Sequence, residues 1–406
     1  MGARSLAARQ PSTDVHMGWR DRFLQWKHEL IAKPGFQRWA ARFPLTRNLS
    51  NRRASDLFNI AAGFVYSQVL AAVVELDLLN TLRDGPAGVE DLARRCGLTD
   101  EAMLCLLRAA ASLELLSERG EQRFGLGDLG AAMLGNPGVT AMVRHHQTLY
   151  RDLLDPVQVL RREQPTALAA FWPYAVGVEG DITPYSELMS ASQSLVATDI
   201  LDCLPMHKAE HLWDIAGGDG SFIHSALSRA PDLKATVMDL PGVAELAQKR
   251  LADAGLTARA QAVSGDMFCS PLQGATALQG ATALQGVTAP ADNANTPTPN
   301  FGAPDLVTLV RIVHDHDDAE VMMLFRALRQ SMRPDARLVI AEPMADTPGA
   351  EAMGHAYFGL YLRAMGSGRP RTAGEIRAML QEAGFRRSQE LRTARPLMVR
   401  VILAHP

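Results

Sequence analysis

The chain has 406 residues, with 41 basic and 44 acidic side chains and a formal net charge of −3. Its 47% hydrophobic and 21% charged content is ordinary for a globular protein and excludes global disorder, and a chain this long buries sizeable cores without disulfides or structural metals. The near-neutral balance excludes a protein that is basic throughout, so bulk nucleic-acid binding is not indicated.

Charge is uneven along the chain. Residues 1–55 form an arm with eleven Arg/Lys and three acids, +8 in all, which leaves −11 for the rest. Trp19, Phe23, Trp26, Ile31, Phe36, Trp39 and Phe43 stand between those cations. Such an arm either packs on the acidic body or makes peripheral contact with an anionic membrane surface. The N-terminus lacks the apolar run of a secretory signal. Cys96, Cys105, Cys203 and Cys269 form no CxxC pair and fit neither a zinc site nor a disulfide framework, so they read as reduced thiols of a cytoplasmic protein.

Residues 56–208 read as helical. Leu57 to Val74 carries no charge over 18 residues, yet Asn59, Gly63, Ser67 and Gln68 interrupt it and Glu75 and Asp77 follow at once; this predicts a buried helix rather than a membrane span. Beyond Pro86–Gly88, two amphipathic helices flank Gly97-Leu98-Thr99, with Thr99 or Asp100 as N-cap. A short hairpin is expected around Arg119-Gly120. Helix, turn, helix, hairpin is a winged-helix pattern. Residues 86–125 hold five basic and seven acidic side chains, which argues against DNA and for a dimerisation or packing module. Helices continue over 138–208, with breaks expected at Pro156, Pro165, Pro173 and Pro184. Phe171, Trp172, Tyr174, Tyr185 and Met189 are either core or a substrate pocket wall.

From His211 the texture changes. "LWDIAGG", "ATVMDL", "AQAVSGD", "DLVTLVRIV", "ARLVIAEP" and "LMVRVILAH" read as strands, with helical stretches between most of them. This alternation predicts an α/β domain over 209–406 built on a mostly parallel sheet. Residues 272–289 are three tandem hexapeptides, LQGATA, LQGATA and LQGVTA. They are too few and too weakly apolar to build a core, so 270–303 reads as a disordered surface loop.

The chemistry gathers at predicted strand ends. Asp214-Ile-Ala-Gly217-Gly218-Asp219-Gly220 closes one strand and opens a helix; its glycines allow a tight turn and close approach of a ligand. Asp239 ends the next strand, where an acid accepts hydrogen bonds from ribose hydroxyls. Gly265-Asp266-Met267-Phe268 offers an acid and apolar side chains suited to adenine. Each motif alone also describes an ordinary turn; the three in order point to a nucleoside at the carboxyl edge of a sheet. The next strand ends in Arg311-Ile-Val-His314-Asp315-His316-Asp317-Asp318. If the strand persists, alternation puts His314 and His316 on one side. No distant Cys/His set completes a metal site. General-base work by a histidine, with Glu342 of the following strand as its partner, is the better use of these groups, and His316 also fits a buried, hydrogen-bonded role.

This order of motifs resembles the plant caffeate-type, class II O-methyltransferases over residues 56–406. The resemblance implies a Rossmann-like domain that uses S-adenosylmethionine, preceded by a winged-helix dimerisation domain that helps close the partner's substrate pocket. It places Asp214, Gly217, Gly218, Asp239, Leu240, Asp266, Met267 and Arg311 around the cofactor. It makes His314 the catalytic base and Glu342 the acid that orients it. The family's second orienting acid falls in an E-R-T string; here Arg369-Pro370-Arg371-Thr372 carries proline instead. "KPGFQRWAARFPLTR", "LFNIAAGFVYSQVL" and "FWPYA" further resemble the hydroxyneurosporene (demethylspheroidene) O-methyltransferases of photosynthetic bacteria, which methylate the C1 hydroxyl of acyclic carotenoids. That likeness implies a long apolar acceptor against Trp172, Tyr185 and Met189, a homodimer, and an arm at the inner photosynthetic membrane. The alternatives are methylation of a tetrapyrrole or polyketide, and a non-catalytic winged-helix regulator.

Overall fold

The computed structural model describes residues 18–171, 183–268 and 301–406. Trp172 and Tyr174, and nearly all of the repeat loop, lie outside them, as does the side chain of Tyr185. The described residues fall into two compact units, 18–70 and 71–406.

The first unit is helical. Trp19–Ala32 and Pro34–Arg42 are separated by the extended Lys33, and proline takes the first position of the second helix, where its missing N–H costs nothing. Trp19, Phe23 and Trp26 recur at helical spacing and share one exposed face. Phe36, Trp39 and Phe43 form a ladder with centroids 5.6 and 5.0 Å apart. The helix Arg47–Glu75 corrects one expectation. Leu57, Phe58, Ile60 and Phe64 are 69, 64, 80 and 69% exposed, and only Val73 and Val74 are buried. An uncharged run states that water should be excluded, not that its own chain does the excluding. Among the described residues this helix alone is long and apolar enough, by length and composition, to cross a membrane.

The second unit opens with the expected winged element. Val89–Cys96 and Asp100–Ser112 are helices, and the Thr99 side chain accepts from Ala102 N at 3.2 Å, capping the second. Strands β1 (Ala87–Gly88), β2 (Leu116–Glu118) and β3 (Arg123–Leu126) form an antiparallel sheet in the order β1-β3-β2. Helices Pro137–Asp152, Pro156–Arg161, Ala167–Phe171 and Thr183–Cys203 follow. The breaks expected at Pro156 and Pro165 are present: one helix ends at Asp152 and Pro156 opens the next, in a first turn where no preceding carbonyl waits for its N–H, and Pro165 lies in the gap between Arg161 and Ala167. Pro173 lies outside the described residues.

The remaining strands are β4 (His211–Ile215), β5 (Lys234–Asp239), β6 (Ala260–Ser264), β7 (Leu306–Val310), β8 (Arg337–Glu342), β9 (Arg387–Leu391) and β10 (Arg400–His405). They form one sheet, β6-β5-β4-β7-β8-β10-β9. The first five are parallel; β10 runs antiparallel to β8 and β9 antiparallel to β10. The sequence reading missed β9, a polar edge strand (RSQEL) with no apolar alternation. Helices cover both faces. Leu212 packs with Phe222 and Val237 on one side, Trp213 and Ile215 with Leu309 and Phe325 on the other. Chain order reverses between β4 and β7, and the carboxyl ends of β4, β5, β6 and β7 converge there on one cavity.

Candidate active site

The cavity encloses about 370 Å³, within the range of small-molecule sites. Its floor is the turn after β4. Gly218 and Gly220 have φ of +61° and +78°, where a Cβ is strained, and a Cβ on Gly217 would lie 2.5 Å from Asp214 Oδ2. The turn is pinned by acids. Thr308 donates its hydroxyl to Asp214 Oδ1 at 2.6 Å. Asp239, at the end of β5, accepts from Gly218 N and Leu240 N, both at 2.8 Å. Burial raises Asp239 to about 6, against the pull of those two amides. Asp214 is raised to about 7, by burial first and by Asp239 as well, with the Thr308 bond opposing. Its Oδ2 is buried without a hydrogen-bond partner among the described residues.

The walls carry the other motifs. Asp266 accepts from Phe268 N at 2.8 Å, and Asp266, Met267, Phe268 and Leu240 all line the cavity. Arg311 stands at φ +58°, a strained backbone for a non-glycine residue, and donates to Met189 O at 3.1 Å and Gln193 Oε1 at 2.5 Å. It thereby ties the helix Thr183–Cys203 to the end of β7, and Met189 also lines the cavity. Five carboxyl groups (Asp214, Asp219, Asp239, Asp266 and Asp315) face it, against Arg311 and His316.

Strand β7 stops at Val310, and Val313–Asp315 is a 3-10 turn. The alternation expected for an extended segment therefore does not apply. Glu342, buried at the end of β8, accepts Ile312 N at 2.9 Å and Val313 N at 2.6 Å through Oε1, and its Oε2 bonds His314 Nδ1. On the other side, Asp315 Oδ1 stands 3.2 Å from His314 Nε2. Burial works to lower the imidazole pKa, but Asp315 and Glu342 override it and raise it to about 8. Asp315 itself is pushed up to about 6 by burial, against the pull of His314. His316 lines the cavity, with Nδ1 3.6 Å from Glu320 and Phe268 edge-on to its ring at 5.0 Å.

The structure also shows what holds this turn where Pro370 stands. Arg369 N donates to His314 O at 3.0 Å, Ser367 Oγ to Asp315 O at 2.7 Å, and the buried Arg371 guanidinium to Val313 O at 2.5 Å and His316 O at 2.8 Å. A Cβ on Gly368, at φ +78°, would lie 2.2 Å from His314 O. Asp315 and this clamp were not singled out in the sequence, although Asp315 sits beside His314. Two further histidines, His145 and His146, were missed entirely, since only the fold brings them near.

Residues 150–284 and 294–386 match the model of the O-methyltransferase domain, and residues 58–136 that of the O-methyltransferase dimerisation domain. The chain belongs to the O-methyltransferase family. It is 37% identical over 375 residues to the demethylspheroidene O-methyltransferase of Cereibacter sphaeroides, covering 91% of each protein. It is 36% identical to that of Rhodobacter capsulatus, over 89% of this chain and 85% of the relative. Among solved structures it resembles human N-acetylserotonin methyltransferase in complex with SAM, with TM-score 0.65 and 21% identity over 87% of this chain and 97% of that one. Members of this family draw the methyl group from S-adenosylmethionine, and the dimerisation domain makes the enzyme a homodimer. Phe58, Ile60 and Phe64, exposed on their own chain, lie at the start of that domain.

The cavity suits this cofactor. A surplus of carboxyl groups and an unpartnered buried Asp214 oxygen fit a ligand that carries ammonium and sulfonium charge, and the glycine floor admits close approach.

Proposed function

We propose that this enzyme methylates the C1 hydroxyl of an acyclic carotenoid such as 1-hydroxyneurosporene or demethylspheroidene. The observation that carries the acceptor is the 37% identity, over nine-tenths of both chains, with an enzyme of that name. The site supports the chemistry. When bound, S-adenosylmethionine supplies a methyl group already activated for transfer. Gly217, Gly218, Asp214 and Arg311 hold its amino-acid side, Asp239 and Leu240 the ribose, and Asp266 and Met267 the adenine. His314 would take the hydroxyl proton as the acceptor oxygen takes the methyl group from sulfur, the S–C bond breaking as the C–O bond forms and a neutral thioether leaving. Glu342, fixed by two backbone amides, orients the imidazole and balances its cation. Holding the acceptor hydroxyl beside the transferable methyl group, within reach of His314, would supply much of the rate. Met189, which lines the cavity, is the acceptor contact among the described residues; Trp172 and the Tyr185 side chain, expected to share that role, lie outside them.

The test is methyl transfer from labelled S-adenosylmethionine, offered a detergent-dispersed 1-hydroxy acyclic carotenoid, a catechol and a chlorophyllide in parallel. Label is expected on the carotenoid. Label on the chlorophyllide alone would establish the tetrapyrrole alternative instead.

The arm over 1–55 is read as a peripheral membrane contact, which suits an acceptor dissolved in lipid. Trp19, Phe23 and Trp26 form an exposed aromatic face on a helix that also carries Arg20, Arg22 and Lys27. The protein is expected to co-sediment with vesicles containing phosphatidylglycerol and not with pure phosphatidylcholine. High salt or the F23A/W26A pair should release it. Equal recovery with both vesicle types would refute an electrostatic contact.

A further inference from the structure

A second cluster of titratable side chains lies beside the base, outside the cofactor cavity. His145, buried on the helix Pro137–Asp152, has Nε2 2.9 Å from the Tyr361 hydroxyl. Its neighbour His146 has Nε2 2.8 Å from the Tyr357 hydroxyl. The two tyrosine rings stack at 5.7 Å, and Phe358 lies between them in sequence, edge-on to Tyr357 at 5.0 Å. The same Phe358 meets the His314 ring edge-on at 5.7 Å. Phe171 completes the cluster, 4.6 Å from His145.

The backbone that carries these rings is unusual. Ala352–Tyr357 is a π-helical segment that runs directly into the helix Phe358–Met365. Such segments are rare and recur at functional sites. It is wedged close against its neighbour, since a Cβ on Gly354 would lie 2.5 Å from Ala345 Cα. Burial lowers the basicity of both imidazoles, His145 to about 4 with His146 adding to the effect, so each stays neutral and its hydrogen bond joins two uncharged groups. Burial likewise pushes both tyrosine hydroxyls up, and Asp315 is close enough to add to the shift of Tyr361.

We propose that the His145–Tyr361 and His146–Tyr357 pairs build the acceptor-side wall of the active site and determine its specificity for an apolar acceptor. The inference rests on His314 being the base. Each histidine satisfies a tyrosine hydroxyl that would otherwise be buried unpaired beside Phe358, the ring that meets His314. The wall then offers a conjugated chain aromatic faces and no free donor. A buried polar atom stripped of its partner costs its full desolvation, whereas removing both partners is nearly neutral.

That asymmetry gives the test. H145F, Y361F and the double variant are compared for acceptor KM, kcat and S-adenosylmethionine affinity, and H146F and Y357F likewise. Each single variant is expected to raise the carotenoid KM about tenfold, with kcat and cofactor affinity unchanged. Each double variant should return KM to within about threefold of the wild type. A purely structural pair would lower the melting temperature and leave KM alone. That outcome overturns the proposal, as does a double variant whose loss equals the sum of the singles. If the wild type labels a different acceptor, the carotenoid reading has failed and the cycle is run on the acceptor that takes label, under the same criteria. If none takes label, carotenoid binding followed by its absorption shift replaces KM. An H314A enzyme that kept its activity would remove the base reading separately.

Discussion

Replacing His314 with alanine is expected to lower methyl transfer by about 100- to 10,000-fold, the usual worth of a positioned base, while S-adenosylmethionine binds as in the wild type. The split follows from the geometry. The imidazole is held between Glu342 and Asp315, beside the cavity, and none of the residues that pin the glycine turn depends on it. An alcohol is far less acidic than a phenol, so loss of the base is felt more with a carotenoid than with a catechol. The pH dependence carries a second signature. With the imidazole raised to about 8, the neutral, proton-accepting form is in the minority at pH 7, and the rate should climb as pH rises through about 8. Stability runs the other way. A histidine whose folded pKa is raised contributes stability that is fully present below its unfolded value, about 6.5, and is lost as pH rises through about 8. Glu342→Gln removes one of the two carboxylates responsible, so the midpoint of the rate profile should move to lower pH. A midpoint that stays at 8 in that variant, or an active His314→Ala enzyme, would dismiss this assignment.

The parts of the site that were legible in the sequence are those fixed by neighbouring strands. Glycines after β4 and an acid ending β5 are local signals, because parallel pairing of Ile215 with Met238 brings the two strand ends side by side. His314 and Glu342 follow the same logic, since Val310 pairs with Ala341 and the residues just beyond must meet. His145 and His146 belong to no such register. They reach the neighbourhood of His314 only through Tyr357, Phe358 and Tyr361, more than 200 residues further along the chain. A sequence gives no distance across such a gap. The helix over 57–74 illustrates a different limit. Its apolarity was plain, but whether its own chain or a second copy covers it is a property of the assembly. Strand β9 was missed for a third reason: at a sheet edge, polar side chains are no handicap, so the pattern that marks a buried strand is absent.

Asp239→Ala should weaken S-adenosylmethionine binding by roughly 10- to 100-fold, the worth of about 1.5–3 kcal/mol for a hydrogen bond to a charged group. Two losses combine in that figure. In the proposed cofactor pose the ribose hydroxyls lose their acceptor, and the amides of Gly218 and Leu240 lose theirs, so the turn that carries Gly217 is no longer pinned from β5. Asp239→Asn separates them. An amide oxygen still accepts one of the two backbone bonds and fills the same volume, yet it carries no charge toward a cationic ligand. Its affinity should fall between those of the wild type and the alanine variant. Saturated with cofactor, both variants should recover most of the wild-type rate, because the base and its orienting acid are untouched. Calorimetry on the three proteins reads the binding side directly. Wild-type affinity in Asp239→Ala would remove the residue from the cofactor site. Equal losses in the alanine and asparagine variants would show that charge outweighs the geometry of the turn.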